Sequence, residues 1–285
     1  MLVEVICDYS CGVGENPLWH AAEKRLYWCD ISTGRMFRYE PSTGKHEQFY
    51  QGEIVGGFTI EADGALLLFM ERGSVRLMRH NKLTTLIDHI PEERQTRFND
   101  VIADPMGRVF CGTMGTNSRP GRLYRLDPSG TLTVLLEGVG CPNGLGFTLD
   151  RKGMYFTDSF ARTIYLFDYD QAHGTLSNRR TFAQTTESDG MPDGMTVDSE
   201  GHVWSALWDG SSLVRYTVEG KEAQRIPIPA KKSSSLTFGG EELTEIYVTS
   251  AGGQNKRNEG EGAGALFRLT PGVSGISEFV SRIGP

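Results

Sequence analysis

Four residues with oxygen-bearing side chains stand at one recurring place in this sequence: Glu15, Asn99, Asn143 and Asp193. Each sits just ahead of a short run with apolar alternation, as Asp193 does before Met195 and Val197. Two carboxylates and two amide carbonyls make an all-oxygen donor set of formal charge −2. That chemistry suits a hard divalent cation such as Ca²⁺, Mg²⁺ or Mn²⁺. The six histidines (His20, His46, His80, His89, His173, His202) show no HxH or HExxH spacing, and the five cysteines include no CxxC pair. A zinc-protease-like or thiolate centre therefore has no residues to use. Neither a GxxxxGK[ST] phosphate cradle nor a Gly-x-Ser-x-Gly nucleophile elbow occurs. Asn, Asp or Glu beside Gly or Pro also makes ordinary turns by bonding its own backbone. Turn chemistry would favour both ends of a repeating unit equally, whereas these four fall in register at one end.

That register rests on a repeat. Met191-Pro192-Asp193-Gly194 leads through Met195 and Val197 to a turn on Asp198–Gly201 and on to Val203-Trp204. Arg97-Phe98-Asn99-Asp100 leads in the same way to Asp104–Gly107 and Val109-Phe110, and Cys141-Pro142-Asn143-Gly144 to Asp150–Gly153 and Tyr155-Phe156. Further units begin near Glu15, Val55 and Ser235, giving six at a spacing of about 40–50 residues, the signature of a repeat architecture. Each unit offers about four short strands with turn signals between them, such as Ser32-Thr33-Gly34 and Pro128-Ser129-Gly130. The expected fold is all-β, a six-bladed β-propeller in one domain over 1–285; a β-sandwich is the competing architecture. In a propeller the first strand of each blade lines the central channel, so residues at its start converge on one mouth. Tyr27, Phe110, Tyr155, Trp204 and Tyr247, at matching phases, are expected between blades. Val3–Ile6 is expected to pair with C-terminal strands and close the ring. Asp63, Asp104, Asp150 and Asp198, at the other phase, read as turn residues.

Bulk properties narrow the class. The chain has 285 residues, 38% of them hydrophobic, 35 glycines and a net charge of −7. An acidic balance argues against a nucleic-acid surface. No window approaches the ~18 apolar residues that span a bilayer, so no membrane role is expected. Met1–Ile6 lacks the basic head and apolar core of a signal peptide, and a cytoplasmic location is expected. The five cysteines (Cys7, Cys11, Cys29, Cys111, Cys141) read as buried apolar residues in a reducing compartment.

Several motifs, in order, resemble one family. Gly14-Glu15-Asn16-Pro17-Leu18-Trp19, Arg97-Phe98-Asn99-Asp100, Gly112-Thr113-Met114, Asn143-Gly144-Leu145, Tyr155-Phe156-Thr157-Asp158-Ser159, Pro192-Asp193-Gly194 with Trp204, and Phe238-Gly239-Gly240 resemble the SMP-30/gluconolactonase/regucalcin family. The motifs cover roughly residues 14 to 268. The resemblance implies a six-bladed propeller with one divalent metal in its channel and hydrolysis of sugar-acid lactones, a small-molecule substrate. It implies metal ligation by Glu15, Asn143 and Asp193, with Asn99 beside the metal and Arg97 and Asn99 holding substrate. Ca²⁺ is the expected ion; the oxygen donors also admit Mg²⁺ and Mn²⁺, and relatives are active with Zn²⁺ or Fe²⁺. Asp193 or a metal-held water is the expected base. Two departures stand out. Asn16 intervenes in the first motif, and the loop after Gly-Thr-Met reads Gly115-Thr116-Asn117-Ser118 where vertebrate members carry an acidic substrate contact, leaving Asn117 as the candidate substitute. Asp158 reads as a turn cap, Trp208 and Asp209 as mouth residues, Lys231–Ser235 as a solvated loop, and residues 254–264 as a flexible insertion. Hydrolysis of organophosphates or other esters, and non-catalytic calcium binding, are the alternatives.

Overall fold

A computed structural model, describing residues 2–284, arranges 24 strands as six four-stranded antiparallel sheets. Each sheet is one sequence unit. Blade 1 runs from inner strand Gly14–His20 to outer strand Lys45–Gln51, blade 2 from Val55–Ile60 to Lys82–Ile87, and blade 3 from Phe98–Ala103 to Leu132–Val139. Blade 4 runs from Pro142–Phe147 to Thr175–Gln184 and blade 5 from Met191–Val197 to Glu222–Pro227. Blade 6 begins with Ser233–Gly239 and takes its outer strand from the N-terminus: Glu4–Asp8 pairs with Ala265–Leu269, placing Glu4 opposite Arg268 and Val5 opposite Phe267. One sheet built from both chain ends closes the ring, as expected from the sequence.

The core consists of six apolar clusters, each filling the seam between two neighbouring blades. Trp204, Ala206 and Leu213 of blade 5 meet Leu236, Phe238 and Phe267 of blade 6. Tyr247 of blade 6 meets Trp28 and Phe37 of blade 1, and Phe110 of blade 3 meets Phe147 and Phe156 of blade 4. Tyr27 and Tyr155 lie in the seams between blades 1 and 2 and between blades 4 and 5. Because alternate residues of a strand face opposite sides of its sheet, each blade feeds two seams. The four turn aspartates behave as read: Asp63 Oδ1 accepts from Ala65 N at 3.1 Å and Asp150 Oδ1 from Lys152 N at 3.0 Å. Asp198 goes further, accepting the indole N–H of Trp204 at 2.9 Å and so tying a far-face turn to a seam. All five cysteines are free and buried. No helix among the described residues is long and apolar enough to cross a membrane.

The C-terminal segment, to which the repeat assigns no role, lies across the channel mouth formed by these turns. Ser199 N donates to Ser274 O, Gly275 N to Leu243 O, Ser281 N to Ile60 O, and Arg282 N to Gly107 O, at 2.8–2.9 Å, engaging blades 5, 6, 2 and 3. Phe279 packs on Phe147 of blade 4 at 5.9 Å between ring centroids. The opposite mouth, where the inner strands begin, is left for the site.

Candidate functional site

Every inner strand breaks register once, near its start: between Glu15 and Leu18, Val55 and Gly57, Phe98 and Val101, Asn143 and Leu145, Pro192 and Met195, and Ser233 and Ser235. A bulge of this kind locally interrupts the ladder and re-aims a side chain. In four blades a candidate oxygen donor sits at the break. Glu15, Asn99, Asn143 and Asp193 are all buried and share the lining of one cavity of about 230 Å³. Arg97 and Ser159 add polar lining, and Val13, Met114, Cys141, Phe160, Met191 and Trp208 complete the wall.

Glycine lets the inner strands come this close. A Cβ on Gly144 would lie 2.5 Å from Asp193 O, and one on Gly194 would lie 2.1 Å from Ser235 Oγ. Both distances are far inside van der Waals contact. The residue after Asn143 and after Asp193 must therefore lack a side chain so that the next blade can approach. Asn16, the extra residue of the first motif, adopts φ 48° and accepts the backbone N–H of Phe58 in blade 2 at 2.6 Å. It staples blade 1 to blade 2 beside Glu15.

A hydrogen-bond chain orients the donors across three blades. Arg97 Nη1 donates to Phe98 O at 2.8 Å and to Asn99 Oδ1 at 2.6 Å. Asn99 Nδ2 donates to Pro142 O at 2.8 Å and to Asn143 Oδ1 at 2.7 Å. Asn143 Nδ2 donates to Ser159 Oγ at 2.8 Å, which donates to Pro192 O at 2.6 Å. With its nitrogen committed to Ser159, Asn143 keeps a second lone pair of Oδ1 for another partner. The carboxylates, by contrast, are nearly bare. Glu15 Oε2 accepts from Asn16 N at 2.9 Å, and no hydrogen bond reaches the Asp193 carboxylate among the described residues.

The electrostatics follow. Burial first, then repulsion from Asp100, lifts the Glu15 carboxyl well above its ordinary value; burial, then repulsion from Glu15 and Asp100, does the same to Asp193. Burial raises Asp100 to about 7, with the Arg97 guanidinium opposing the shift. Two buried carboxyls on one cavity, with the Asp100 charge acting on both and so few hydrogen bonds, are unbalanced on the protein's own atoms. A divalent cation would balance them, and the oxygens of Glu15, Asn143 and Asp193 fit such an ion in type and in charge.

Two residues of this centre escape the sequence reading. Asp100 directly follows Asn99, and the break between Phe98 and Val101 leaves it outside the regular ladder. It lines not that cavity but a narrow one further along the channel, with Thr59, Thr237 and Glu278. Ser159 stands within the Thr157-Asp158-Ser159 motif, one residue beyond Asp158. Asp158 is the cap it was read as, accepting from Gly140 N at 2.9 Å and Cys141 N at 3.0 Å.

Other expectations fare less well. The structure does not bring Asn117 to the cavity: it is exposed in the turn closed by Thr116 and Arg119. Trp208 lines the cavity, but Asp209 does not and faces Lys231 at 3.7 Å. The solvated loop expected at Lys231–Ser235 is wrong beyond Lys232. Ser233, Ser234 and Ser235 are buried in the inner strand of blade 6, and the Ser234 hydroxyl donates to Gly14 O. Small polar side chains fit where six inner strands crowd one axis. Residues 254–264 are anchored rather than loose: Lys231 N donates to Glu259 O at 2.7 Å, Gly262 N to Pro229 O at 2.9 Å, and Cys11 N to Gly264 O at 3.0 Å.

Comparison with known proteins agrees with the six-bladed fold. Residues 13–252 match the family described as the SMP-30/Gluconolactonase/LRE-like region. The chain is 48% identical to pentonolactonase XacC of Haloferax volcanii, with 99% of each chain covered. It is 32% identical to regucalcin of Xenopus laevis, with 96% of each covered. Among solved structures it superposes on a luciferin-regenerating enzyme with a TM-score of 0.91 at 27% identity, covering 99% of each chain.

Proposed function

Since the chain belongs to the SMP-30/gluconolactonase/LRE-like family, we propose that it is a hydrolase that opens sugar-acid lactones with the help of one divalent cation at Glu15, Asn143 and Asp193. The observation that carries this reading is the pair of buried, nearly unpartnered carboxylates, Glu15 and Asp193, at one cavity with the Arg97–Asn99–Asn143 chain. The relative named a pentonolactonase supports five-carbon sugar-acid lactones as the first substrates to try.

A divalent cation supplies Lewis-acid polarisation of an ester carbonyl, and Ca²⁺ suits these donors best, with Mg²⁺, Mn²⁺, Zn²⁺ or Fe²⁺ as substitutes. The chain's own groups do the rest. Arg97 spends one nitrogen on Phe98 O and Asn99 Oδ1 and keeps further N–H groups for substrate hydroxyls. Asn99, fixed by three hydrogen bonds, sets the position of Asn143 and lines the cavity where the substrate would lie. The Asp193 carboxylate, which accepts no hydrogen bond among the described residues, takes the proton of the attacking water as that water adds to the carbonyl carbon. The bond from that carbon to the ring oxygen breaks, and the proton passes to the ring oxygen, giving a hydroxy acid. General-base help of this kind is worth about 10²–10⁴-fold. The buried free cysteines fit a reducing compartment, and we place the enzyme in the cytoplasm.

A panel of gluconic, xylonic, arabinonic, fuconic and galactonic lactones, assayed by acid release at constant pH, tests the proposal. Turnover of at least one lactone above the spontaneous rate is expected; no turnover of any with each cation would refute it.

A further inference from the structure

The cavity wall is divided by chemistry. Arg97 and Asn99 put polar groups on blade 3, whereas blades 4 and 5 present aromatic surface through Phe160 and Trp208. Each follows from the same place in its blade: Phe160 lies two residues beyond the second strand Gly153–Asp158, and Trp208 ends the second strand Val203–Trp208. Phe160 is 65% exposed and is the one aromatic among the large apolar side chains left exposed in the described residues. Scattered exposed aliphatics need no explanation, but an exposed ring at the edge of a buried polar cavity does.

The backbone that carries Phe160 and the Trp208 ring are both held in place. Ser159 N donates to Cys141 O and Arg162 N to Ser159 O, each at 3.0 Å, and Asp158 caps the turn between them. Gly140 lies so near that a Cβ there would stand 2.9 Å from Phe160 Cβ. Trp208 carries the Lys232 ammonium 5.5 Å from its ring centroid, and Lys232 is anchored to Glu259 Oε1 at 2.6 Å. Many aromatic rings elsewhere pair with one another, as Phe147 does with Tyr169 at 4.8 Å and Tyr155 with Phe182 at 4.7 Å. Among the described residues Phe160 and Trp208 have no such partner.

On the lactonase reading, on which this inference rests, we propose that Phe160 and Trp208 form an aromatic rim that binds the C–H face of the closed lactone ring and discriminates it from the opened acid. A lactone ring is rigid, with hydroxyls around its edge and weakly positive C–H bonds on a face. Those bonds meet the negative face of an aromatic ring favourably. Ring opening frees rotation about the carbon chain and destroys the flat face, so the contact is lost in the product. The rim thus favours substrate over product while the polar side reads hydroxyls.

The test needs no turnover. In excess Ca²⁺, calorimetry measures binding of a cyclic ether polyol of lactone ring size and of the matching open-chain alditol. The proteins are the wild type, Phe160→Ala, Trp208→Ala and the conservative Phe160→Tyr and Trp208→Phe. Removing either aromatic ring should weaken the cyclic polyol about tenfold, equivalent to about 1.4 kcal/mol. The alditol should change less than about twofold, and the conservative variants should stay near wild type. Equal loss for ring and chain, no loss in either alanine variant, or a wild type that does not prefer the ring would each overturn the rim. Lactone kinetics on the same proteins separate the two claims. A wild type that prefers the cyclic polyol but hydrolyses no lactone removes the lactonase reading and leaves the rim. Hydrolysis with KM unchanged in Phe160→Ala removes the rim and leaves the reading.

Discussion

Ser159 and Arg97 show how much of the site depends on orientation rather than ligation. Ser159 joins Asn143 to Pro192 O, so its hydroxyl fixes which end of the Asn143 amide faces the other donors. Outer partners of ligands commonly contribute 10–100-fold to metal affinity. Ser159→Ala should weaken cation binding by about that factor, read by calorimetric titration of Ca²⁺ into the chelated protein, with the melting temperature little changed. Arg97 makes two hydrogen bonds from a single nitrogen and has a fork of further donors, which lysine cannot reproduce. In Arg97→Lys, kcat/KM for the best lactone should fall at least tenfold while Ca²⁺ affinity holds. An equal fall in both would place Arg97 in ion binding instead. At this scale the sequence showed the donor types and their common phase, because one residue per blade starts an inner strand. Asp100 was not legible, since only the break between Phe98 and Val101 puts two consecutive side chains outside the regular alternation.

The blades were legible because each repeats the same turn, alternation and aromatic phase; the C-terminal segment was not, because it repeats nothing and its contacts come from five different blades. Its Glu278 lines the inner channel cavity, and burial raises its carboxyl to about 7, while a hydrogen bond from Thr196 opposes the shift. The sign of the consequence is fixed. Glu278 prefers to stay protonated in the folded protein, so its contribution to stability is whole below about pH 4.5 and is lost as pH rises through about 7. Asp100, raised to about 7 and lining the same cavity, adds a slope of the same sign in the cation-free protein. Glu278→Gln should therefore narrow the difference in melting temperature between pH 5 and pH 8, read by calorimetry at saturating Ca²⁺. An unchanged difference would mean that Glu278 ionises normally. The misread serines 233–235 carry the same lesson: polarity in an inner strand reflects crowding at the axis, not solvent.

The last sheet of the ring is completed by the strand Glu4–Asp8, whose register with Ala265–Leu269 is supported by Arg268 reaching Glu4 at 2.8 Å. Deleting residues 1–8 would expose an unpaired edge on blade 6, the kind of edge that recruits other chains. Such a truncation should melt at least 10 °C lower and sediment partly as aggregate, whereas removing residues 1–3 should do neither. The closed ring matters to function because the donors come from blades 1, 4 and 5, with Arg97 and Asn99 on blade 3. The central claim, that these donors hold a cation needed for lactone hydrolysis, meets its most direct test in one titration. Acid release from the best lactone is followed at constant pH for wild type and Asp193→Ala, first after chelation and then as Ca²⁺ is returned. The expected result is no activity in chelated wild type, recovery with Ca²⁺, and no recovery in Asp193→Ala at any Ca²⁺ concentration. Full activity in the chelated wild type, or in Asp193→Ala, would contradict it.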